Sequence, residues 1–127
     1  MPHLIVHYSG NMAPYIDMPD LLQALHRAAD ATGLFAPHTI RTRALCAQDF
    51  VVGQGTPDDA FVHIDVRIRP GRTDLEQNNL LQTLNETLGL YLDQAYQHLR
   101  IGISLEIDVI NVPMRVLCGT LDRAKPG

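Results

Sequence analysis

The sequence predicts an α+β fold: two β-α-β units, residues 2–46 and 60–110, forming a four-stranded mixed sheet with two helices on one face. Three observations carry this expectation. From Phe61 to Arg69, Val62, Ile64, Val66 and Ile68 alternate with His63, Asp65, Arg67 and Arg69, which is the period of a half-buried strand. Thr73-Asp74-Leu75-Glu76 has the form of a capping box, in which threonine and glutamate satisfy the first free N–H groups of a helix. The order strand, helix, strand occurs twice, and right-handed crossovers make the strands within each unit parallel. With 127 residues, 46% of them hydrophobic, the chain can bury a core as one domain, residues 1–127.

Taken in order, Pro2 to Tyr8 read as the first strand, ended by the turn residues Ser9-Gly10-Asn11. Asp17, Pro19 and Asp20 suit a helix start, with proline in the first turn and acids at the positive end of the dipole. Leu21, Leu22, Leu25, Ala28, Ala29 and Thr32 share one face at helical spacing, and Gly33 reads as the C-terminal cap. A second strand spans Thr39 to Cys46, with Arg41 and Arg43 on one side and Ile40, Thr42 and Ala44 on the other. Phe50-Val51-Val52 has the composition of a further short strand, followed by a loop from Gly53 to Asp59. After Pro70-Gly71-Arg72 breaks the third strand, the second helix should run to about His98, its stripe formed by Leu81, Leu84, Leu88, Leu92 and Ala95. The last strand, Ile101 to Ile110, sets Ile103, Leu105, Ile107 and Val109 against Ser104, Glu106 and Asp108. The apolar parity of each strand would lie under the helices. His3, His7, His63, Asp65, Glu106, Asp108 and Arg41 or Arg43 would then line the opposite face, either solvated or against another subunit.

Composition excludes several classes of function. The formal charge is −4 with no basic run, which recommends neither a nucleic-acid nor an anionic-membrane partner. Of ten basic residues only Lys125, in the polar tail, is a lysine, so a Schiff-base mechanism has no candidate in the core. Cys46 and Cys118 are the only cysteines, without a C-x-x-C spacing, and no secretory signal opens the chain; both point to a reducing cytoplasm. Each cysteine ends an apolar run and is expected to be a small buried hydrophobe. No apolar run approaches the ~20 residues of a membrane span. His3 and His7 share a strand face but stand ~13 Å apart, too far for one metal ion.

The chemically distinctive residue is Pro2. If Met1 is trimmed, the ring nitrogen changes from an amide, which is not a base, into a secondary amine. An α-amino group titrates at roughly 7.7–8.0, and apolar neighbours or a nearby cation lower that value toward the range where a general base works best. A proline here also suits the first residue of a strand, where its missing N–H costs nothing. The arginines carry the same ambiguity: each could grip a carboxylate through its planar fork or simply pair with Asp65, Glu106 or Asp108.

The residues that bear on this choice are Pro2-His3-Leu4-Ile5-Val6 with Ser9 and Asn11, Ala31-Thr32-Gly33-Leu34-Phe35, Ile40-Arg41-Thr42-Arg43, Ala60-Phe61-Val62-His63, Gly71-Arg72 and Ser104-Leu105-Glu106-Ile107. In this order and spacing they resemble the 5-carboxymethyl-2-hydroxymuconate isomerase family of the tautomerase superfamily, from Pro2 to about Asp108. The resemblance implies a homotrimer of β-α-β-β-α-β subunits, no cofactor, an N-terminal proline as general base, and arginines that bind the carboxylates of a small keto-enol acid. Carried over, Pro2 is the base, Arg41 matches the first arginine of the family's I-R-x-R stretch, and Arg72 matches the arginine before the long helix. Arg43 is the further candidate for carboxylate binding. The chain departs from the pattern at His7, where the family more often has an acid, and in the tail 111–127.

The expectation is therefore a cytoplasmic, cofactor-independent isomerase of a small unsaturated keto-enol carboxylate, acting in aromatic-acid breakdown. The alternative is a trimeric small-ligand binding or scaffold protein that kept the fold and lost the chemistry.

Overall fold

The computed structural model describes residues 2–125. Strand β1 (His3–Ser9) runs into a 3-10 turn (Gly10–Tyr15), then helix α1 (Met18–Ala31) and strand β2 (Arg41–Ala47). Strand β3 (Asp59–Ile68), helix α2 (Asp74–Gly89), the short helix α3 (Asp93–Tyr96) and strand β4 (Arg100–Val109) follow, with a 3-10 turn at Val112–Met114. The sheet order is β2-β1-β3-β4. β1 and β2 are parallel, as are β3 and β4, and the two pairs meet antiparallel between β1 and β3. This is the mixed sheet of two β-α-β units that the sequence predicts.

Local chemistry fixes the helices. Asp17 caps α1 by accepting from the Asp20 N–H at 3.1 Å, and Gly33, at φ 72°, turns the chain away in the left-handed region that glycine tolerates. The capping box of α2 forms in both directions: Thr73 Oγ1 accepts from the Glu76 N–H at 3.1 Å, and Glu76 Oε1 accepts from the Thr73 N–H at 2.9 Å. Leu21, Leu25 and Ala29 of α1 and Leu80, Leu84 and Leu88 of α2 are buried against Leu4 and Val6 of β1 and Val62, Ile64 and Val66 of β3. Each such leucine contributes roughly 1.5–3 kcal/mol by leaving water.

Four expectations are corrected. The second helix ends at Gly89 rather than near His98, because glycine is a poor helix former and the chain breaks there before α3. Leu92 and Ala95 are still buried beyond the break, and Leu80 rather than Leu81 is the fully buried leucine at the start of the stripe. Phe50-Val51-Val52 is loop, with Val51 86% exposed ahead of two left-handed glycines, Gly53 and Gly55. In edge strand β4, Ile103, Leu105 and Ile107 are half-buried while Val109 is exposed.

On the uncovered face of the sheet, register decides the neighbours. His63 lies opposite His7, their rings 5.9 Å apart, and His3 lies opposite Arg41 on one side and Arg67 on the other. His63 pairs with Glu106 at 3.6 Å and Arg67 with Asp108 at 3.3 Å. Among the described residues no three His, Cys, Asp or Glu side chains converge as a metal site, and no helix is long and apolar enough to cross a membrane.

Candidate active site at the buried proline

Topology brings the candidate residues to one end of the sheet. The Pro2 carbonyl accepts from the Arg41 N–H at 3.0 Å, extending the parallel ladder by one rung and placing the start of β2 beside the start of β1. Because β3 runs antiparallel to β1, it finishes at this same end, where Pro70 cannot continue the strand and Gly71 turns at φ 112°. That turn sets Arg69 and Arg72 next to Pro2. β4 is parallel to β3 and also finishes here, so the tail enters from the same side.

The result is a cavity of about 390 Å³ whose lining includes Pro2, Arg41, Arg69 and Arg72, with Phe35 and the tail residues Leu117 and Leu121 supplying apolar surface. Pro2 is buried. Arg72 is held from three directions: it donates through Nη2 to the Leu34 carbonyl at 2.8 Å and through Nη1 to the Arg69 carbonyl at 3.2 Å, and its guanidinium stacks 5.0 Å over the Phe35 ring. Arg41 donates through Nη1 to the Thr39 carbonyl at 3.2 Å. The two carbonyl bonds of Arg72 orient its guanidinium without neutralising it, so its charge stays available to an anion. Among the described residues, Asp122 is the one acid in the lining.

Three of the four residues singled out in the sequence, Pro2, Arg41 and Arg72, therefore share one cavity. Arg43 does not line it. Its guanidinium is exposed on the uncovered sheet face and donates to His3 Nδ1 at 3.1 Å. Burial, and then the cations of Arg43, Arg41 and Arg67, lower the pKa of His3 below its ordinary value, which favours its neutral form. The expectation of buried cysteines also fails: Cys118 is exposed at the cavity rim and Cys46 is only half-buried.

The family model for 5-carboxymethyl-2-hydroxymuconate isomerase matches residues 2–117. The chain belongs to this family. Membership makes the protein an isomerase of the tautomerase superfamily. It is 27% identical over 111 residues to the 5-carboxymethyl-2-hydroxymuconate Delta-isomerase of Escherichia coli, covering 87% of this chain and 88% of that protein. The crystal structure of a 5-carboxymethyl-2-hydroxymuconate isomerase from Deinococcus radiodurans R1 superposes with a TM-score of 0.88 at 25% identity, over 94% of this chain and 90% of that one. A fused 4-OT, a wild-type symmetric trimer, shares the fold at a TM-score of 0.66 and 21% identity, over 91% and 93% of the two chains.

Within this isomerase family, two features of the site escaped the sequence reading. Arg69 was visible as the last polar residue of the β3 alternation, three positions before Arg72, and the turn at Gly71 explains why both reach the cavity. The tail gave no periodic signal. The family match stops at residue 117, whereas the cavity wall continues through Cys118, Gly119, Leu121 and Asp122.

Proposed function

We propose that the protein is a cofactor-independent keto-enol tautomerase of a small unsaturated carboxylate, with Pro2 as general base once Met1 is removed. The observation that carries this reading is the burial of Pro2 in the same cavity as Arg41, Arg69 and Arg72. Freed of Met1, the ring nitrogen is a secondary amine among apolar walls and guanidinium groups; desolvation and cationic neighbours both disfavour its protonated form. It can then take a proton from an enol oxygen or an activated carbon and return it to another carbon of the same conjugated system. Arg41 and Arg72 hold the carboxylates and stabilise the negative charge that develops on the enolate oxygen, and Arg69 adds to the field that draws the anion in. Arg43, on the neighbouring face, reaches a substrate only if another subunit presents it.

This activity is placed in one tautomerase-like domain, residues 1–127, assembled as a homotrimer in the cytoplasm and serving aromatic-acid breakdown. The names of the related isomerases support the isomerase part of this reading, and the trimeric 4-OT supports its homotrimer. The test is a spectrophotometric assay of dienol and keto acids with protein shown by intact mass to lack Met1. Turnover that disappears when the proline nitrogen is acylated supports the proposal. Binding of the acids without any turnover would instead support the non-catalytic ligand-binding alternative.

A further inference from the structure

A second cavity, of about 510 Å³, shares Arg41, Leu117 and Cys118 with the first but is otherwise built from different residues. Its polar lining consists of His3, Arg41, Arg67, Asn111 and Arg115, and among the described residues no Asp or Glu lines it. Arg115 is delivered there by the turn after β4, in which its N–H donates to the Val112 carbonyl at 3.2 Å. The Nη1 of Arg115 is buried without a hydrogen-bond partner. A charged donor taken out of water requires an acceptor, and none of the neighbouring side-chain cations can supply one.

Apart from Asn111, whose side-chain amide both donates and accepts, the remaining polar side chains are donors as well. Arg67 engages Asp108 through Nε, which leaves the rest of its fork to other acceptors. Arginine cannot accept a hydrogen bond, so His3 Nδ1 must accept from Arg43, and the neutral ring then carries its proton on Nε2 as a further donor. The acids of this face are engaged or further along the sheet: Asp108 faces Arg67, Glu106 faces His63, and Asp65 lies opposite Ile5. The cavity thus presents several donors and concentrated positive charge with a missing acceptor, which is the complement of an oxyanion.

We propose that the cavity between His3, Arg67 and Arg115 is a second anion site, which binds a carboxylate or phosphate group independently of Pro2. Its occupant is either a free small anion or an additional carboxylate of the substrate. The first source does not depend on the proposed tautomerase chemistry. The second rests on it.

Calorimetric titration of the purified oligomer with inorganic phosphate, at constant ionic strength, tests the site. In Arg72→Gln, which disables the Pro2 cavity, phosphate binding should persist; in Arg115→Gln and Arg67→Gln it should weaken at least tenfold. Arg115→Lys keeps the charge and loses the fork, so it should fall between; it decides the matter with Arg67→Gln if Arg115→Gln does not fold. Phosphate binding that is lost entirely in Arg72→Gln, or unchanged in Arg115→Gln, overturns the proposal. Enol-acid kinetics then identify the occupant. A KM raised by Arg115→Gln for a tricarboxylate but not for a dicarboxylate marks the substrate's own carboxylate, and a KM unchanged for both, with phosphate binding lost, marks a free anion.

Discussion

At the end of the sheet where β1 stops and β3 and β4 start, charge is matched within the chain. Arg100 donates through Nε to Asp59 Oδ1 at 2.8 Å, the Thr56 hydroxyl bonds the other Asp59 oxygen, and Asn11 donates to the Asp59 carbonyl at 2.9 Å. At the end where β1 starts and β3 stops, Arg69, Arg72 and Arg41 line a cavity with a single acid among the described residues, and Arg72 is steadied by carbonyls and an aromatic face instead of a carboxylate. The same residue types serve two purposes. Where cation and acid meet, the pair ties the loop 53–59 to β4; where carbonyls and a ring hold Arg72, the guanidinium is oriented without being neutralised, which suits the anion-binding role proposed for it.

The largest effect should come from blocking the proline at the cationic end. Acylating Pro2, or retaining Met1, is expected to lower kcat by roughly 10²–10⁴-fold, the usual worth of a general base, with an unchanged circular dichroism spectrum. Pro2→Ala keeps a primary amine and should retain part of the turnover. Next come Arg41→Ala and Arg72→Ala. A charge-assisted hydrogen bond is worth about 1.5–3 kcal/mol, so each should raise KM for carboxylate substrates roughly ten- to a hundredfold, measurable by initial rates. Wild-type KM in both variants would place the site elsewhere.

A smaller effect is expected from ending the chain after Val116. This removes the apolar and acidic wall from Leu117 to Asp122, so KM should rise several-fold, while the melting temperature stays within about 2 °C because these residues are exposed. The opposite end should give the smallest effect on activity. The hydrogen bond from Thr56, and then Arg100, hold the Asp59 carboxyl below the ordinary carboxylate range. A depressed folded-state pKa adds stability that is fully present above the unfolded value of ~3.9 and lost as pH falls through the folded one. Asp59→Asn should therefore melt lower than wild type at neutral pH, with the gap closing as the pH falls below the unfolded value and through the depressed folded one, and should leave kcat and KM unchanged.

The sheet and both long helices were legible because alternation, capping chemistry and turn residues agree over whole segments. Thr73 to Glu76 specifies a helix start by local hydrogen bonds alone, so no tertiary information was needed. The break at Gly89 was hidden because Leu88, Leu92 and Ala95 keep helical spacing across it and all remain buried. The family resemblance singled out Pro2, Arg41 and Arg72, which the structure brings to one cavity, but spacing could not separate Arg41 from Arg43. Both sit on the same side of β2; only the register, with Arg41 beside Pro2 and His3, decides which one reaches the cavity. The tail was illegible for a different reason. Val116, Leu117 and Leu121 are largely exposed and show no periodicity, and their positions depend on the end of the sheet from which they emerge.

The cavity joins residue 2 to residues 117–122, a contact between segments far apart in the sequence. Closing so long a loop costs entropy before its contacts return anything, so this region should assemble after the two β-α-β units have formed. On a ribosome, the nascent polypeptide would carry residue 2 well before residues 117–122 emerge, and could not enclose it until they had followed.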